Sequence, residues 1–155
     1  MADPAIERLH LTGAAKAGAV QLKKKFPSIV FLSGKRSVPE QAHAMAANIV
    51  ARGNRKFIRD VYKASSARTK LQNWVDQHPQ AKTVDAIAAG LEKTLNAMEP
   101  NERHLISKHL TGEAFDVQPP SHHDADRIKA AMEALPGRSF FTTSEGGLPR
   151  WHVQF

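Results

Sequence analysis

Gly112-Glu113-Ala114-Phe115-Asp116-Val117-Gln118-Pro119 is the stretch on which the fold turns. Its centre, Glu113 to Gln118, alternates in character and is bounded by Gly112 and Pro119, which predicts a β-strand. Downstream, Ser139 to Thr143 and Arg150 to Phe155 also read as strands, joined by a loop containing Gly146, Gly147 and Pro149. Between the first strand and these two, His122 to Leu135 is an Ala-rich helix stopped by Pro136-Gly137, with Ser121 as its expected N-cap. The adjacent His122-His123 pair is read as the start of that helix rather than as part of a site. Upstream, the pattern is mostly helical. Helices first and strands last predict an α+β fold, with a small, largely antiparallel sheet and flanking helices.

Gly13 to Lys25 carries Ala15, Ala19 and Leu22 at helical spacing, with Phe26 continuing the stripe and Pro27 ending it. Ile29 to Leu32 is a short, β-branched apolar run and reads as a buried strand. Ser37 is the expected N-cap of the next helix, with Pro39 in its first turn and Glu40 three residues on. That helix is expected to run to about Ala51, where Gly53-Asn54 stops it. Residues 55 to 100 are helical in pattern, and Thr83 and Asp85 open the best of these helices, with Val84, Ile87, Ala88, Leu91 and Leu95 on one stripe. The whole chain, 1–155, reads as one domain with a helical insertion at about 55–100.

A chain of 155 residues is long enough for a real core without staples. The absence of Cys excludes disulfides, thiolate metal sites, iron–sulfur clusters and a Cys nucleophile. No apolar run approaches the roughly 20 residues of a membrane span, so no membrane insertion is expected. The opening MADPAIERLHLTG lacks a basic region followed by an apolar stretch, so synthesis in the cytoplasm without a signal peptide is expected. A formal charge of +7 and a pI near 9.9 fit an anionic partner: nucleic acid, an anionic membrane surface or an acidic wall polymer.

Asp is a poor strand residue, yet Asp116 sits inside Ala114-Phe115-Asp116-Val117. Either the strand is an edge strand with a solvated Asp, or the carboxylate faces something that needs it. His109 lies seven residues upstream across Gly112, whose freedom allows the chain to fold back. His152 alternates with Trp151 and Val153 in the last strand. If that strand pairs near Asp116, two imidazoles and a carboxylate converge, which is an ordinary three-ligand set for one Zn²⁺ ion with a position left for water. Another divalent metal suits the same donors. Glu145, in the Gly-rich loop before the last strand, is the best-placed carboxylate for a general base. Arg36, in Ser33-Gly34-Lys35-Arg36-Ser37, either caps locally or holds a carboxylate bidentately.

Together these residues resemble the D-alanyl-D-alanine carboxypeptidase type of zinc peptidase. That group includes D,D-dipeptidases and phage L-alanyl-D-glutamate endopeptidases, and shares its fold with lysostaphin-like enzymes and the Hedgehog signalling domain. The family's Ser-Gly-x-Arg-Ser-x-x-x-Gln pattern stands here as Ser33, Gly34, Arg36, Ser37 and Gln41. Its Ser-x-His-x-x-Gly-x-Ala-x-Asp pattern stands as Ser107, His109, Gly112, Ala114 and Asp116, and its closing Trp-His as Trp151-His152. The resemblance spans about residues 29 to 155. It implies a Hedgehog/DD-peptidase-like fold, zinc on His109, Asp116 and His152, and a transition state stabilised by Arg36. Arg36, Ser37, Gln41, Ser107 and Trp151 would surround the substrate. The family commonly places its catalytic acid three residues before the last His; that position here is Pro149, which leaves Glu145 as the nearest candidate.

The resemblance implies hydrolysis of peptidoglycan stem peptides; no nucleic-acid partner and no membrane insertion are expected, and of the open oligomeric states a monomer is favoured. Such an enzyme, endolysin- or effector-like, would reach the periplasm or cell wall through a holin or a secretion machine. The alternative is a catalytically inactive peptidoglycan- or zinc-binding domain of the same fold, to which Pro149 lends weight. A nucleic-acid binder is suggested by Lys23-Lys24-Lys25 and the basic stretch Arg52 to Arg59, with Trp74 and Tyr62 for stacking. Neither rival explains His109, Asp116 and His152 in family order.

Overall fold

A computed structural model of the chain describes residues 2–121, 123–144 and 149–155. The elements run α1 (Pro4–Glu7), α2 (Gly13–Lys25), β1 (Phe31–Ser33), α3 (Val38–Arg52), α4 (Phe57–Val61), α5 (Ser66–Gln77), α6 (Val84–Asn96) and α7 (Pro100–Arg103). A 3₁₀ turn (Lys108–Thr111) leads into β2 (Ala114–Val117), and α8 (Ala125–Glu133), β3 (Phe140–Thr142) and β4 (Trp151–Gln154) follow. The fold is α+β, as the pattern predicts. Among the described residues no helix is long and apolar enough to cross a membrane. The chain divides into a sheet unit, made of the segments up to Arg36 and from Thr111 onward, and a helical unit, Ser37–Leu110.

In the sheet unit the four strands lie in the order β1-β2-β4-β3, every pair antiparallel. Phe31, Phe115, Val117 and Val153 turn into a core shared with Ala15, Ala19 and Leu22 of α2 and with Ile128 and Met132 of α8. The stripe expected on α2 is the face that is buried, and Phe26 extends it. Ile6, Leu9 and Leu11 of the N-terminal segment complete this core. The α1 turn is opened by Asp3, whose side chain accepts from the Ala5 N–H, with Pro4 in the first position.

Two boundaries differ from the sequence reading. β1 starts at Phe31 rather than Ile29, because the Ile29 N–H is spent on the Phe26 carbonyl in a turn. It extends to Ser33 because Ser33 finds a partner opposite it, Asp116. The last helix starts at Ala125, not at His122, and its N-cap is Asp124 rather than Ser121. The Ser121 carbonyl accepts from the N–H groups of Asp124 and Ala125, so these residues form a turn before the helix. His122 lies outside the described residues.

The helical unit takes in α3 as well as residues 55 to 100. Ser37 and Glu40 form the expected reciprocal capping box, and Gly53 closes α3 in the left-handed conformation at φ 58°. Ala42, Met45, Ala46 and Ile49 of α3 pack with Ile87, Leu91 and Leu95 of α6 and with Leu71 and Val75 of α5. Thr83 caps α6 by accepting from the Ala86 N–H.

Two polar residues tie the shorter helices down. Gln72 is buried, accepts from the Arg59 N–H, and donates to the Arg55 carbonyl at 2.8 Å and to Asp76 at 2.9 Å. The bond that Lys56 donates to Asp76 holds that carboxyl below the usual carboxylate range. Arg55 donates to the carbonyls of Val75, His78 and Ala81 at 2.8–2.9 Å, satisfying the end of α5. Arg55→Ala is expected to lower stability by about 1–2 kcal/mol, since water replaces part of what three charged bonds supply. Urea unfolding measures this; an unchanged midpoint would show that the three carbonyls do not need the guanidinium.

Candidate metal centre

The decisive strand is an inner one. β2 lies between β1 and β4, and Asp116 is 0% exposed, which removes the solvated edge-strand reading. One row across the sheet places Ser33, Asp116, His152 and Thr142 opposite one another on the four strands. A row of four polar residues in a small sheet is costly unless the side chains satisfy each other or a ligand. Asp116 and His152 do so directly: Asp116 Oδ1 stands 2.9 Å from Nδ1 of His152, which is itself buried. On the other carboxylate oxygen, the Ser33 hydroxyl donates at 2.7 Å and the Arg36 guanidinium forms an ion pair at 3.5 Å. Gln154, two residues along the same strand face, places its amide oxygen Oε1 3.0 Å from His152 Nε2, where it accepts from the ring N–H.

His109 is fully buried in the 3₁₀ turn that runs into β2. Its backbone N–H donates to the Ser107 hydroxyl at 3.1 Å. Gly112 then turns the chain at φ 76°, and a Cβ there would stand 2.8 Å from the His10 carbonyl oxygen. Only glycine fits both the dihedral angle and the approach. One ligand atom from each of His109, Asp116 and His152 lies within 4.8 Å of the others. This buried group is able to hold a metal ion. Two imidazoles and a carboxylate are the donors that zinc takes, and a set of three leaves coordination positions open. Ser33 and Gln154 are the partners that would hold the carboxylate and the His152 ring in orientation.

The remaining expected site residues are placed as follows. Arg36 stands at Asp116. Ser107 positions the His109 backbone through its hydroxyl. The Ser37 side chain is engaged in capping α3, accepting from Glu40 N–H. Gln41 is fully buried within the helical unit, and its amide donates to the Tyr62 hydroxyl at 3.3 Å. Trp151 packs on the sheet-unit core edge-on to Phe141, on the strand face opposite to His152. Glu145 lies outside the described residues.

One cation escaped the sequence reading. Arg150 Nη1 stands 3.7 Å from Asp116 Oδ2. The signal was present, since Arg150 is two residues from His152 and strand alternation puts both on one face.

No family model, curated protein or solved structure matches this chain.

Proposed function

We propose that the chain is a zinc-dependent peptidase of the Hedgehog/DD-peptidase fold that hydrolyses peptidoglycan stem peptides. The observation that carries this reading is the buried group of His109, Asp116 and His152, with ligand atoms within 4.8 Å of one another. Two imidazoles and one carboxylate suit a catalytic rather than a closed structural zinc. A zinc ion held there supplies an acidified water and a polarised carbonyl. Arg36, anchored at Asp116, binds a carbonyl or carboxylate of the peptide and stabilises negative charge that develops on it. Glu145 is the proposed proton carrier. The +7 charge draws the chain to an anionic wall polymer.

The test is digestion of purified Gram-negative peptidoglycan, with and without chelator, followed by mass analysis of the released fragments. Chelator-sensitive release of terminal D-Ala is the result of a carboxypeptidase. Release of stem peptide beginning at D-Glu is the result of an L-alanyl-D-glutamate endopeptidase. A zinc-loaded, folded chain that binds peptidoglycan and releases neither product is the inactive binding domain that Pro149 suggests.

A further inference from the structure

We infer that Arg150 is a second anion-binding residue of the site, and that with Arg36 it takes a carboxylate of the bound peptide. The inference rests on the peptidase reading and deepens it. Trp151 packs on the core at the start of β4, and Arg150 directly precedes it. Alternation then turns Arg150 to the same face as His152 and Gln154. Its Nη1 stands 3.7 Å from Asp116 Oδ2. That oxygen already receives the Ser33 hydroxyl at 2.7 Å and faces Arg36 at 3.5 Å.

A separation of 3.7 Å is too long for a hydrogen bond. Arg150 therefore meets Asp116 as a long ion pair and not as a hydrogen-bond donor. The side chains grade outward from Asp116 at 0% exposed, through Arg36 at 15%, to Arg150 at 35%. An ion pair this long and this exposed contributes little to stability. What the arrangement does provide is a planar, permanently charged donor fork at the rim of a buried site, which matches a carboxylate. Two guanidiniums converging on one point favour an anionic over a neutral peptide group. The ligand class is therefore a peptide whose carboxylate neighbours the bond to be cut.

The experiment uses the zinc-loaded full chain, a synthetic stem pentapeptide in its free-acid form, and the same peptide with every carboxylate amidated. Binding is followed by calorimetry and turnover by product mass. The expected result is that the wild type binds the acid more tightly than the amide by about tenfold, one charge-assisted contact. Arg150→Ala loses most of that preference, with amide binding and zinc content unchanged, and Arg150→Lys keeps part of it. Equal weakening of both peptides by Arg150→Ala, or no change in either, overturns the inference. So does a wild type without preference for the acid. A wild type that prefers the acid through Arg150 but never cleaves it upholds the anion site and sinks the peptidase reading.

Discussion

Asp116→Ala is expected to take the chain from one equivalent of bound zinc to none detectable. The substitution removes one donor of three, and the one that carries negative charge. It also leaves His152 without the carboxylate 2.9 Å from its Nδ1. The readout is metal analysis after gel filtration, together with thermal unfolding with and without zinc. At free zinc about 100-fold above its dissociation constant, binding stabilises the folded chain by about 2.7 kcal/mol. For a chain of this length that is a rise in Tm on the order of 5–10 °C. The rise should vanish in Asp116→Ala, and equally in His109→Ala and His152→Ala. The metal-free Ala variant loses the Ser33 bond and the carboxylate that Arg36 faces, a cost of about 1–3 kcal/mol. Each variant is therefore compared with its own metal-free Tm. His43→Ala, at an exposed histidine, should keep both zinc and shift. A full equivalent of zinc in Asp116→Ala would sink the ligand assignment.

The second large effect lies in the helical unit, at Gly90 of α6. Glycine inside a helix normally costs about 1 kcal/mol relative to Ala, so Gly90→Ala looks stabilising on helical propensity alone. The opposite is expected. The Trp74 ring lies on the Gly90 backbone, and an added Cβ would come within 1.8 Å of it. Trp74 cannot easily retreat, since its other neighbour is the His78 ring, stacked at 4.2 Å. Forcing a methyl into such a contact costs about 3 kcal/mol, the upper end of ordinary overpacking. Less the propensity gain, the net loss is about 2 kcal/mol. In a Trp74→Ala background the same substitution should stabilise by about 1 kcal/mol, because only the propensity remains. A double-mutant cycle in urea measures both signs. Additivity of the two substitutions would show that the ring and the glycine do not meet.

Local features were readable because their causes lie within a few residues. The capping box of Ser37 and Glu40, the left-handed stop at Gly53 and the Thr83 cap each depend on neighbours no more than four positions away. The approach of His109 to Asp116 is also nearly local, since they stand seven positions apart across one glycine turn. β1 begins two residues later than the apolar run predicts because the Ile29 N–H bonds a turn carbonyl, and the partner that extends the strand to Ser33 is more than 80 residues away.

Legible in the residues alone are the α+β class, the helix ends at Ser37, Gly53 and Thr83, the buried face of α2 and the residue types of a His, Asp and His donor set. Periodicity, capping and turn chemistry act over one or two turns of chain, and they are written in adjacent letters. Tertiary structure decided that Asp116 stands on an inner strand, that His152 rather than a neighbour lies opposite it, that Arg150 joins Arg36 at the same oxygen, and why Gly90 must be glycine. Each of these depends on strand order, register or close approach between distant segments, and such pairings are chosen by the packing of the whole unit rather than by any one stretch of it.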